Sequence, residues 1–197
     1  MNSTRALALC ALILVSHVPS VGAQSESELR EMQARAAAAT ATGAEHKALE
    51  YFLGEWDVQL AMVMPGMPPQ RSTGRARFEW LIPGRWVSQR VDGTLMGMPY
   101  QSFSMIGYDT FAKNHVVATV SSMDNALNLA RGVTVDPEGK NRVLYGVLDE
   151  YMTGELAKPF KTITRIQNAD RFVLEIWDLG IGVDGAKVLE FSHTRRR

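Results

Sequence analysis

Residues 187–197 read KVLEFSHTRRR: an alternating apolar run, a histidine and three arginines. Successive side chains of a strand point to opposite faces, so Leu189, Phe191, His193 and Arg195 share one face. Whether that face lines the inside of a closed sheet decides the architecture. The other half of the question lies in residues 53–60, LGEWDVQL. In an antiparallel meander that closes on itself the first and last strands are neighbours, and Trp56 then meets a terminal arginine at the barrel base. A guanidinium over an indole contributes about 0.5–2 kcal/mol. Trp56 and Arg195 are the expected structural staple, with Arg196 and Arg197 a solvated tail.

Between these two stretches the pattern has period two. Alternating segments fall near 55–64, 72–82, 85–96, 100–109, 115–123, 127–135, 141–148, 158–167, 171–179 and 187–195, separated by turn residues such as PGMPP, AKN, PEG and NAD. About ten evenly spaced strands with no helix between them predict an all-β fold. Short connections favour an antiparallel up-and-down barrel, which removes its edges by closing. A short helical turn, EHKALEYFLG, precedes the first strand.

The N-terminus is of another kind. Residues 1–23 carry one positive charge at Arg5, an apolar run from Ala6 to Val18, a break at Pro19 and small residues at Val21 and Ala23. This predicts a signal peptide and a periplasmic or extracellular protein. Ser16, His17 and Pro19 cut the run too short for a stable membrane anchor. Removing the segment takes away Cys10, the chain's one cysteine, so packing alone stabilises the remainder. It leaves 20 basic against 21 acidic residues, a balance that gives no general attraction to nucleic acid. Residues 24–44 are rich in Glu, Arg, Gln and Ala and predict a helical or flexible segment leading into a barrel domain over 45–197.

The Gly-x-Trp of residues 54–56 after a helical turn, with an arginine from the final strand, resembles the calycin group of lipocalin-like barrels. The ordered succession EHKALEYFLGEW, LIPGRWV (81–87), GMPYQSFSMIGYD (97–109) and KVLEFSHTR is similar to the secreted bacterial DUF1579 family. That resemblance covers Glu45 to Arg195 and implies a lipocalin-like barrel without a settled activity. His193 departs from it, standing where a tyrosine is expected before the Thr-Arg pair.

Barrels of this size hold at most one small ligand. Trp80, Trp86, Tyr100, Tyr108, Met62, Met64, Met96, Met98 and Met105 fall on the first four strands or their turns and are expected to form an adaptable apolar wall. Phe160, Thr162, Thr164 and Ile166 share a face, which gives an interior two hydroxyl anchors. The candidate ligand-binding residues are therefore His193, Trp80, Trp86, Tyr108, Thr162 and Thr164, and the candidate ligand a small, mainly apolar molecule. An inward His193 also suits axial haem ligation or general-base chemistry. Nitrobindin-like barrels carry a comparable C-terminal histidine, but they have further glycines after Gly-x-Trp, where this chain has DVQL. No cofactor is otherwise indicated, and no His-x-His or His-Glu-x-x-His spacing marks a metal site. No nucleophile elbow or phosphate loop occurs. Glu79, Glu175 and Glu190 are expected on the outer face, and Asp109 in a turn.

Overall fold

The structure, a computed structural model, describes residues 25–64 and 66–197; the expected signal segment 1–23 lies outside the described residues. Helix α1, Glu26–Thr40, buries none of its residues. It rests on helix-forming composition and on the Arg30–Glu26 and Arg35–Glu31 pairs, each one turn apart at 3.1 Å. Among the described residues no helix is long and apolar enough to cross a membrane.

The short helix α2, Ala44–Lys47, runs into a 3-10 turn, Ala48–Phe52. Ten strands follow: β1 Gly54–Met62, β2 Gln70–Ile82, β3 Trp86–Leu95, β4 Met98–Asp109, β5 Asn114–Ser121, β6 Asn128–Thr134, β7 Asn141–Glu150, β8 Glu155–Asn168, β9 Arg171–Asp178 and β10 Ala186–Arg195. Each pairs antiparallel with its neighbour in sequence, and β1 pairs with β10, so the sheet is a closed barrel. The predicted architecture is the observed one.

The closing register puts Trp56 opposite Arg195 and Val58 opposite His193. The Arg195 guanidinium lies 4.1 Å from the Trp56 ring centroid. Its two terminal nitrogens donate to the carbonyls of Leu53 at 2.8 Å and Tyr51 at 2.6 Å. The Trp56 indole N–H donates to the Phe52 carbonyl at 2.8 Å. One arginine thus fastens the last strand to the first and both to the 3-10 turn that plugs this end. Gly54 has φ 111, a left-handed conformation that turns the plug into β1, and a Cβ there would stand 3.5 Å from an Arg195 nitrogen. That is the physical content of Gly-x-Trp in this chain.

Under the plug, Leu49, Phe52, Trp56, Phe78 and Phe172 form one buried cluster that continues through Val58, Leu60, Val87 and Val91. Phe172 packs edge-on against Trp56 at 4.9 Å and Phe52 at 5.1 Å between ring centroids. A smaller cluster of Ala130, Leu144 and Phe160 fills the opposite wall.

The outer face carries the charges. Glu79 is exposed and accepts from Arg77 at 2.7 Å. Glu175 and Glu190 meet Lys187, with Arg165 3.7 Å from Glu175. Asp109 accepts the Ala112 amide at 2.9 Å in the β4–β5 turn.

Two readings of the apolar wall need correction. Trp80 points inward with Phe78 as expected, and a bulge between Trp80 and Ile82 leaves Ile82 exposed. Trp86 is paired beside inward Val87 and faces outward, its ring lying over Gly107, where a Cβ would come within 2.4 Å of it. Met96, Met98 and Met105 are exposed: Met96 is a turn residue, Met98 lies at the rim and Met105 alternates outward from Ser104 and Ile106.

Arg195→Gln removes the cation over Trp56 and weakens both carbonyl contacts, and it should cost about 2–4 kcal/mol. Urea unfolding followed by tryptophan fluorescence measures this; a change under about 0.5 kcal/mol, the scatter of ordinary surface substitutions, would remove the staple from the account.

Candidate functional site

Cross-strand pairs point to the same face, so the register from β10 round to β1 defines the inner surface. Phe172, Leu174 and Ile176 of β9 pair with His193, Phe191 and Leu189 of β10, and all face inward. Ile166, Thr164 and Thr162 continue the same rows on β8.

Exposure rises away from the plug along β1, β9 and β10, but not along β8, where Ile166, Thr164 and Thr162 are half-buried and Phe160 is buried. On β1, Trp56, Val58 and Leu60 are buried and Met62 is half-buried; on β10, His193 and Phe191 are buried and Leu189 is half-buried. On β9, Phe172 is buried while Leu174 and Ile176 are half-buried. In a closed barrel solvent reaches an inward side chain only through the lumen. The interior is therefore sealed at the plugged end and reached by solvent along the β1, β9 and β10 wall, whereas Leu95, Tyr100 and Phe160 are buried toward the far end and Tyr100 meets Phe191 across it at 6.3 Å between ring centroids.

The lumen has two chemically distinct halves. β1, β2, β9 and β10 contribute the apolar wall described above. Across from it stand Ser102 and Ser104 of β4, Thr119 of β5, Thr134 of β6 and Thr162 and Thr164 of β8. Ser104 and Thr119 hydroxyls are 2.8 Å apart and hydrogen-bonded. Thr162 and Thr164 are half-buried with no side-chain hydrogen bond among the described residues, so their hydroxyls face luminal solvent. Trp80 is inward and half-buried.

His193 occupies the sealed floor at 0% exposure. Its ring stacks on Phe172 at 4.0 Å and 9°, with Trp56 and Phe78 edge-on. Nδ1 donates to the Phe191 carbonyl at 3.1 Å, which leaves Nε2 as a lone pair without a partner. Burial pushes its pKa down to about 3, so the ring is neutral. An unpaired Nε2 has the chemistry of an axial haem ligand, but the enclosing rings leave it no accessible face. These residues do not fit a haem, and the same enclosure keeps a substrate from using the imidazole as a base.

Tyr108 sits at the plugged rim, edge-on to His46 at 5.6 Å and to His115 at 5.1 Å. With Trp86, His46 and Arg131 it lines an outer hollow of about 300 Å³, separate from the lumen. The structure thus gathers Thr162, Thr164 and Trp80 on the lumen, and sets His193, Trp86 and Tyr108 apart from it.

Another polar group lies beneath the plug. His115 is buried, with Nε2 3.1 Å from a Glu45 carboxylate oxygen and 3.0 Å from the Thr134 hydroxyl, and its Nδ1 has no partner. Burial, then the Arg142 charge and His46, push its pKa down to about 4. The Glu45 contact is therefore a hydrogen bond from a neutral imidazole and not an ion pair at neutral pH. Arg142 stands on the same inner face, opposite Thr134 on one side and Thr164 on the other. It is 5% exposed, its guanidinium lies 5.0 Å from the Phe52 ring centroid, and its Nε has no partner. Among the described residues no three His, Cys, Asp or Glu are placed to hold a metal ion.

Both lowered histidines tie stability to pH. An unfolded imidazole takes up a proton near pH 6.5, whereas folded His193 and His115 resist protonation until about 3 and about 4. Their contribution is full above pH 6.5 and is lost as pH falls toward those values, at about 1.4 kcal/mol per pH unit for each group. Urea unfolding at steps between pH 6.5 and 4.5 should give a slope that His193→Phe reduces by about one proton; an unchanged slope would mean His193 protonates in the folded chain.

The fold has solved counterparts. Rv2717c from M. tuberculosis is similar over 80% of this chain and 100% of its own, at 14% identity and a TM-score of 0.57. The S-type phycobiliprotein lyase CPES from Guillardia theta is similar over 81% of this chain and 95% of its own, at 8% identity and a TM-score of 0.53. At these identities the likeness is one of fold. No curated protein matches the chain. The model of one family, described as protein of unknown function (DUF1579), matches residues 41–195, and the chain belongs to that family.

Proposed function

We propose that this protein is an exported carrier that holds a small, mainly apolar molecule in the barrel lumen, with hydroxyl groups fixing its orientation. The observation that carries this reading is the exposure gradient along β1, β9 and β10: apolar side chains that point into a closed barrel are nevertheless reached by solvent. Apolar surface wetted in a confined space gains free energy when a ligand covers it, about 25 cal/mol per Å². Leu174, Ile176 and Leu189 supply such surface, and Thr162 and Thr164 face it with free hydroxyls, the composition of a small-molecule site.

Two further features support the reading. A barrel of similar fold is named as a phycobiliprotein lyase, and the N-terminal segment has the pattern of an export signal. The sealed position of His193 argues against the haem and cofactor-free enzyme alternatives at that residue.

Titration with N-phenylnaphthylamine, a neutral apolar fluorophore, should give saturable enhancement with one site per chain. Ile176→Trp places an indole in the lumen beside Leu189 and Thr162 and should weaken binding about tenfold or more, as loss of a pocket of several apolar contacts implies. The urea midpoint should move little. Absence of saturable binding, or equal binding by the variant, would overturn the carrier reading.

A further inference from the structure

The least expected side chain in the interior is Arg142. An arginine keeps its charge, and taking it out of water costs several kcal/mol unless something compensates it. Here compensation is incomplete. The Arg142 side chain makes no hydrogen bond or ion pair among the described residues, and its Nε is an orphaned buried donor. The Glu45 charge raises its pKa against the larger lowering by burial, but Glu45 makes its close contact with His115 and forms no ion pair with Arg142. What holds Arg142 is the Phe52 ring beneath its guanidinium at 5.0 Å. A contact to a ring face uses none of the guanidinium's N–H donors, and those donors match a planar carboxylate.

Its surroundings complete the case. Register fixes Arg142 on the inner face with Leu144, which packs into the inner cluster with Ala130 and Phe160. Its cross-strand neighbours Thr134 and Thr164 are half-buried and inward, so solvent reaches the wall on both sides of it. Apolar surface begins directly across the lumen and continues toward the far end.

Resting on the carrier reading above, we propose that the ligand is an amphiphilic carboxylate, its acid group bound at the floor of the lumen by Arg142 with the Thr134 and Thr164 hydroxyls, and its apolar body running toward the far end. The ligand supplies the direct ion-pair partner that Arg142 lacks. An anion at this position also gives Nε the acceptor it lacks.

Dodecanoate and dodecanol share one tail and differ in the head, and calorimetric titration of each into the full chain separates the two readings. The native protein should bind dodecanoate about tenfold or more tighter than dodecanol, as one charge-assisted contact in a dry site implies. Arg142→Gln should abolish that preference and leave dodecanol affinity within about twofold. Equal affinity of the native protein for both probes would overturn the carboxylate site and leave the carrier intact; binding of neither would overturn both. Because the head-group comparison uses the native chain, it stands even where Arg142→Gln fails to fold.

Discussion

A guanidinium lying on an indole holds this barrel shut. Arg195 is the residue on which three otherwise independent things converge: the seam between β10 and β1, the capping of two carbonyls in the 3-10 plug, and the shielding of Trp56. None of the three is strong alone. A cation–π contact contributes about 0.5–2 kcal/mol and each charge-assisted hydrogen bond about 1.5–3 kcal/mol. Their value lies in sharing one side chain, whose ordering entropy is incurred once. The sealed floor follows, because Trp56, Phe172 and His193 are dry only while the plug sits on them.

The dry floor and the wet lumen impose opposite rules on polar groups. On the floor His193 survives by remaining neutral, stacked on Phe172 and bonded to its own strand through Nδ1. His115 follows the same course, with Glu45 and Thr134 as partners for one nitrogen. Arg142 has no neutral form to retreat to, so its burial at the boundary between floor and lumen is the least relaxed feature of the interior. The hydroxyls are under no such constraint: Ser104 of β4 and Thr119 of β5 satisfy one another, and solvent reaches Thr162 and Thr164 of β8.

The closed meander was legible because period-two alternation and short turns survive in almost every strand, and because Trp56 and Arg195 mark the ends that must meet. Thr162 and Thr164 were legible for the same reason: Lys161 and Arg165 on the other face leave little doubt about parity. Trp86 was not, since its face depends on pairing Trp80 with Val87, which sets Trp86 on the other side, and that register is not written in either strand alone. The methionines misled because composition says nothing of direction. Arg142 escaped because β7 is apolar on both faces, with Tyr145 and Val147 exposed outside and Leu144 buried within. Alternation is silent in such a strand, and a charge following the PEG turn reads as part of the turn. The Glu45–His115 contact joins the plug to β5 across four intervening strands, a distance no local pattern spans.

The seam also sets an order of assembly. Nine of the ten pairings join strands adjacent in the chain, and each needs only a short turn to form. The tenth joins the first strand to the last, and its loop spans the whole domain. Until β10 has been synthesised and docked, the meander is an open ribbon with two unpaired edges and an uncovered indole. That is the interval in which edge-to-edge association with another chain competes with folding. Ring closure ends it in one step, since the strand that consumes both edges also delivers Arg195.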